Sequence, residues 1–155
     1  MRPKNLHLVD CTLRDGGYYN NWDFSNNLVN DYLKSMALSG IRYVELGFRS
    51  LNKKGFKGPT WYTTDSYINN LIVPKKLKIG VMVNMSEFLY SDLKLKKKVD
   101  LLFKKKNKSK ISFVRIAAHY KEFTSALEMC RLLQLKGYLV CINLMQISEQ
   151  SNENI

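Results

Sequence analysis

A chain of 155 residues can bury one good core, whereas a complete (β/α)8 barrel typically takes about 250 residues. With 45% hydrophobic and 25% charged residues the composition is ordinary for a globular protein, and no apolar run reaches the roughly 18 residues of a membrane-spanning helix. The formal net charge of +12 raises a polyanion as a partner, and three cysteines, Cys11, Cys130 and Cys141, show no CxxC pair or framework spacing, which excludes a disulfide scaffold and predicts reduced thiols, two of them in apolar runs that read as core.

In chain order, Met1-Arg2-Pro3-Lys4-Asn5 leads straight into an apolar stretch without the h-region and cleavage site of a secretory signal, so a cytoplasmic protein is expected. Short apolar stretches at 7–9, 41–46, 78–83, 112–117 and 138–144 predict strands. Leu28, Tyr32, Leu33, Met36 and Ala37 follow the spacing of one buried helical face and stop at Gly40, a natural C-terminal cap. Residues 122–135 repeat that pattern with Phe123, Ala126, Leu127, Cys130 and Leu133 and stop at Gly137. Strands alternating with helices imply βαβ crossovers and a parallel sheet buried on both faces, an α/β architecture.

Two connections are longer than crossovers need: 15–24, rich in Gly, Tyr and Asn, and 49–63, with Gly55, Gly58 and Pro59. Both read as loops after a strand, on the side where α/β folds bind ligands. The aromatic residues Tyr18, Tyr19, Trp22 and Phe24 are expected to pack onto the rim. Residues 146–155 read as a loop and the first cap of another helix, so the sheet is expected to stop unfinished, with its edges and inner face exposed.

Much of the excess positive charge lies in 94–110, where Val99, Leu101, Leu102 and Phe103 make an apolar stripe and the lysines are expected to cover the outer face of a helix and the following loop. Nucleic acid is therefore not the expected partner. The rival reading, a basic nucleic-acid-binding module, predicts salt-steep binding that weakens when Lys96, Lys97, Lys98 and Lys104, Lys105, Lys106 are neutralised.

The segment Leu8-Val9-Asp10-Cys11-Thr12-Leu13-Arg14-Asp15-Gly16-Gly17 sets a cation beside a carboxylate where the first strand meets its loop. Asp15 can ligate a hard divalent ion through oxygen, and Arg14 can hydrogen-bond an oxygen anion developing on a substrate. Gly16 and Gly17 would permit close backbone approach and unusual dihedrals. Taken alone, the string equally suits a surface Arg and Asp flanking a Gly-Gly turn. Glu45, a carboxylate within an apolar strand, must be paired, and Arg14 is its natural partner. His119 at the end of the fourth strand, Asn84 after the third and Asn143 within the fifth would face the same mouth, each with a plain structural role as the alternative. His7 reads as structural.

The run DCTLRDGG at a first strand resembles the signature of the superfamily that contains 4-hydroxy-2-oxovalerate aldolase, isopropylmalate and homocitrate synthases, and hydroxymethylglutaryl-CoA lyase. Glu45, in Tyr43-Val44-Glu45-Leu46-Gly47 at the end of strand two, matches the acidic partner of the arginine in that family. GGYYNNWDFS, VRIAAHY and INLMQIS look closer to the aldolase-like branch than to the acyl-CoA condensing synthases. The resemblance covers essentially the whole chain and implies that residues 1–155 are the N-terminal part of an HMGL-like TIM barrel, cut after strand five of eight.

The resemblance further implies a carbon-carbon lyase acting on a 2-oxo acid through a metal-stabilised, pyruvate-type enolate. Asp15 would be one ligand to Mn2+ or Mg2+, and the others a His-x-His pair that this sequence lacks, its only histidines being His7 and His119. Arg14 would stabilise the enolate oxygen and Glu45 would orient Arg14. Tyr18 falls where the aldolases carry a histidine base; a phenol, with an ordinary pKa of about 10, is a poor base at neutral pH. His119 is the alternative base, Asn84 and Asn143 would contact substrate, and no organic cofactor is implied. The competing expectation is a non-catalytic, truncated or degenerate half barrel that persists as a homo-oligomer or beside a complementing half barrel.

Overall fold

In the computed structural model, residues 6–89 and 93–151 are described. The five apolar stretches form strands β1 (Val9–Asp10), β2 (Tyr43–Phe48), β3 (Lys78–Asn84), β4 (Ile111–His119) and β5 (Leu139–Met145). They pair in sequence order, every neighbour parallel, in one sheet that curls into a half barrel. Crossovers carry α2 (Asn26–Leu38), the short α3 (Pro59–Tyr62) and α4 (Asp65–Asn69), α5 (Ser86–Leu89), α6 (Leu95–Leu102) and α7 (Phe123–Leu135). No described helix is long and apolar enough to cross a membrane.

The main core lies between the outer face of the sheet and these helices. Val44, Leu46, Val81, Val83, Val114, Ile116 and Ala118 meet Val29 and Leu33 of α2 and Ala126, Met129 and Leu133 of α7. Each fully buried aliphatic side chain contributes roughly 1.5–3 kcal/mol, so this seam dominates the stability. Gly40 and Gly137 take positive φ just beyond α2 and α7, the left-handed stop that the sequence predicts. The buried faces are turned slightly from the predicted stripes: Leu28 and Leu127 are exposed, and Val29 and Met129 take the central positions.

Three expectations are corrected. Residues 15–24 are not all loop, because Thr12–Asn20 forms a helix, α1, and only 21–24 lie outside it. Asp10 accepts hydrogen bonds from the Thr12 N–H and hydroxyl, which satisfies donors at the helix start, and Asp15 complements the positive end of the helix. On α6, Leu101 faces solvent while Lys98 is buried and donates to the Phe88 carbonyl, so the lysines do not all lie on the outer face. β5 is not buried on both faces; its residues alternate, leaving Leu139, Cys141 and Asn143 exposed on the inner side. Cys141 is therefore no core thiol, although all three cysteines are free as expected. Beyond β5 a single 3-10 turn, Ile147–Glu149, follows, and the predicted onset of another helix at 152–155 lies outside the described residues.

Candidate active site

Strand alternation decides which side chains share the inner face. Val44 and Leu46 belong to the helix-side core, so Glu45 between them points inward; the same holds for Arg115 between Val114 and Ile116. Asn84, His119, Cys141 and Asn143 face inward by the same rule. Arg14 arrives from α1 at the C-terminal end of β1. Its Nε donates to Glu45 Oε1 at 2.8 Å, and its Nη1 makes an ion pair with Asp15. Arg115 Nη1 reaches the same Glu45 Oε1 at 3.2 Å and also approaches Cys11 Sγ at 3.2 Å. Glu45 is fully buried, and its Oε2 has no hydrogen-bond partner among the described residues.

The position of Arg14 follows from the turn that ends α1. Asn21 and Trp22 take positive φ and fold the chain back so that the Trp22 indole lies against Gly17, where a Cβ would sit 2.0 Å from the ring. Gly17 is thus helical, and its value is the close approach rather than the unusual dihedral expected of it. Trp22 Nε1 donates to the Arg14 carbonyl at 2.9 Å. Around Trp22, Phe48, Met82 and Ala117 form a second apolar cluster on the inner side, with Trp61 and Met145 at its margin. It walls one side of the Arg14–Glu45 pair, and the Arg14 guanidinium lies 6.0 Å from the Phe48 ring centre.

Electrostatics keep Arg14 charged. Burial works against the Arg14 charge, but the hydrogen bond and charge of Glu45 outweigh it and hold the guanidinium above its ordinary pKa. Burial pushes the Cys11 thiol up, Glu45 adds to the rise, and Arg115 and Arg14 only partly oppose it. Cys11 is therefore a thiol at neutral pH.

Of the residues singled out from sequence, Arg14, Asp15 and Glu45 come together. Tyr18 stands one helical turn beyond Arg14, exposed, with its ring edge-on to Trp22 at 4.7 Å. Asn84 Oδ1 accepts from the Ser86 hydroxyl at 2.8 Å, which ties it to its own turn. His119 lies in a cleft of about 280 Å3 shared with Met145, Gln146 and Glu149, and its backbone N–H donates to Glu122. Asn143 is exposed on the inner face of β5, two residues along from Cys141, the register partner of Arg115. The His7 ring lies 5.1 Å from the Tyr43 ring, tilted by 53°. Tyr19 is exposed rather than packed on the rim, while Trp22 is buried there.

Arg115 stands in VRIAAHY, but it is the member of the cluster to which the sequence reading gives no role. The rule that singles out Glu45 finds it too, since a charge inside the apolar run SFVRIAAH must have a partner. A divalent-metal site is a different matter. Asp15 is 61% exposed and bound to Arg14, and the described residues contain no group of three or more His, Cys, Asp or Glu placed to hold an ion. These residues supply one oxygen donor and do not by themselves fit such a site.

No protein-family model matches the chain, and no curated protein does. Among solved structures, the N-terminal domain of a "putative aldolase" from Bacteroides vulgatus superposes with a TM-score of 0.75 at 31% sequence identity. This chain is similar to it in both fold and sequence. The match covers 95% of this chain and 48% of that one, so the chain spans about half the length of its neighbour. A half barrel similar to that domain is thus the setting in which Arg14, Glu45 and Arg115 are arranged.

Proposed function

We propose that the inner face of this half barrel binds a 2-oxo acid and serves carbon-carbon bond cleavage or formation through an enolate. The observation that carries the reading is the pair between Arg14 on α1 and Glu45 within β2, with Nε held at 2.8 Å on a fully buried carboxylate. Glu45 fixes the plane of the guanidinium, and Nη2, which has no partner among the described residues, is left to face an oxygen. In a 4-hydroxy-2-oxo acid, loss of the hydroxyl proton and cleavage of the C3–C4 bond release an aldehyde. The electron pair passes into the enolate at C2–C3, whose oxygen Arg14 stabilises; a proton returned to C3 completes pyruvate. A preorganised donor of this kind contributes about 10²–10³-fold in rate. Tyr18, one turn along α1, and His119 are the candidates to receive the hydroxyl proton. Mn2+ or Mg2+, where it takes part, would draw Asp15 from this chain, and no step here passes through it.

The test is pyruvate release from 4-hydroxy-2-oxo acids, coupled to lactate dehydrogenase, with and without added Mn2+. Arg14→Gln should lower turnover by about 10²–10³-fold. Release absent under every condition, or unaffected by Arg14→Gln and Asp15→Ala, sinks the reading.

A second reading concerns association. Leu8 and Val9 at one outer strand and Leu139 at the other are exposed, Leu139 at 56%, and each strand leaves one edge unpaired among the described residues. Unpaired edges beside apolar surface favour pairing with another chain, so we infer a homo-oligomer or a complementing half barrel. Sedimentation equilibrium should show mass rising with concentration; a monomer throughout excludes the homo-oligomer.

A further inference from the structure

Two cations converge on one carboxylate oxygen, Arg14 Nε at 2.8 Å and Arg115 Nη1 at 3.2 Å from Glu45 Oε1. Glu45 balances one of them. Asp15 lies against Arg14 but is 61% exposed, where solvent screens it, and Arg115 has no carboxylate of its own. The buried part of the cluster therefore keeps one positive charge in excess. Without Arg115 that part would be neutral, and the nearby Asp15 would make the surroundings repel an anion.

The free donors of Arg115 have a particular geometry. Nη1 is occupied by Glu45 and Cys11, while Nε and Nη2 have no partner among the described residues. Nε and Nη2 form one edge of the guanidinium, the fork that receives a carboxylate through two parallel hydrogen bonds. The side chain as a whole is 21% exposed, and strand alternation turns it to the inner face. Arg115 sits beside Met82 and Cys141 in the strand register, and it crosses β3 to reach Glu45 on β2. β3 carries no side chain in Glu45's register, where Gly80 stands and the Phe113 ring lies over the backbone.

We propose that Arg115 is a second anion-binding residue of this site, taking the substrate carboxylate on its Nε–Nη2 edge while Arg14 faces the reacting oxygen. The identity of the anion as a 2-oxo acid rests on the preceding reading; the two-arginine arrangement does not. The division of labour predicts different kinetic signatures, KM for Arg115 and turnover for Arg14.

The experiment is a pyruvate titration of the full chain by calorimetry and by amide shifts in NMR. Arg115→Gln should weaken binding by at least about tenfold, the cost of losing charged hydrogen bonds. Arg115→Lys keeps the charge beside Glu45 and loses the fork, so it should unfold like the parent in urea and still bind more weakly. If Arg115→Gln fails to fold, Arg115→Lys decides. Pyruvate binding unchanged in Arg115→Lys, or absent in the parent chain, overturns the inference. Arg115-dependent binding in a chain that releases no pyruvate overturns the aldolase reading alone. Turnover with KM unchanged in both variants overturns this inference and leaves that reading standing.

Discussion

Arg49 and Arg115 are both long cations at the sheet, and they end in opposite states. Arg49, 2% exposed, donates from Nε to the Thr63 carbonyl at 3.0 Å, from Nη1 to the Leu102 carbonyl and from Nη2 to Asp65 at 2.9 Å, with its guanidinium 5.1 Å from the Phe103 ring centre. Each nitrogen has a protein partner, and the residue clamps the loop after β2 to α4 and α6. Arg115 shares one acceptor with Arg14 and keeps a free edge on the inner face. A buried cation whose donors are spent can only hold the fold together, because any ligand would have to displace a protein acceptor. A cation with donors to spare can bind at no such cost.

The comparison breaks most directly at Arg49. Arg49→Met takes the cation from Asp65, which keeps only the Ser109 hydroxyl, and a donor from each of two carbonyls, and should cost about 3–5 kcal/mol in urea unfolding, with pyruvate binding unchanged in whatever remains folded. Arg14→Met should cost well under half of that, because Arg115 still pairs Glu45; equal costs would erase the distinction. Replacing both Arg14 and Arg115 by Met leaves Glu45 buried without a cation, so the double variant should lose more than the sum of the singles in a double-mutant cycle. Strict additivity would mean that the two arginines do not share Glu45.

A smaller effect is expected at Gly17→Ala, whose Cβ would meet the Trp22 ring at 2.0 Å. Overpacking of this kind costs about 1–3 kcal/mol. Through the Trp22–Arg14 hydrogen bond it should also red-shift tryptophan emission and lower turnover together, whereas loss of stability alone would separate Trp22 from the site.

The smallest effect should come at acid pH, from Asp10. Burial alone would raise its carboxyl, but hydrogen bonds from Tyr32, the Thr12 N–H and the Thr12 hydroxyl prevail and hold it below the ordinary 3.8. A carboxyl depressed in the fold contributes its stability in full above the unfolded value and loses it as pH falls through the lower folded value. Tyr32→Phe should therefore flatten the fall of unfolding free energy below about pH 4. An unchanged slope would assign that fall to other carboxylates.

Much of the architecture is legible in residue pattern. Apolar runs mark all five strands, Gly40 and Gly137 mark two helix ends, and the need to pair a carboxylate inside an apolar strand leads from Glu45 to Arg14. These are local rules of periodicity, capping and charge. Other features escape such rules. Residues 15–24 read as a loop from their Gly, Tyr and Asn content, yet 15–20 are helical, and the Trp22 ring packs so closely on Gly17 that a Cβ there would clash. Lys98 reads as solvated, but the face of α6 that meets the core is rotated, so the lysine turns in and Leu101 turns out.

The pattern of residues was thus enough for the alternation of strands and helices, the parallel sheet and the Arg14–Glu45 pair, because each depends on neighbours in sequence or on the cost of burying one charge. The convergence of Arg115 on the same oxygen, from 70 residues away, was decided only when β2, β3 and β4 took their register. Contacts across that distance depend on how far each strand slides along its neighbour, and no local rule contains that.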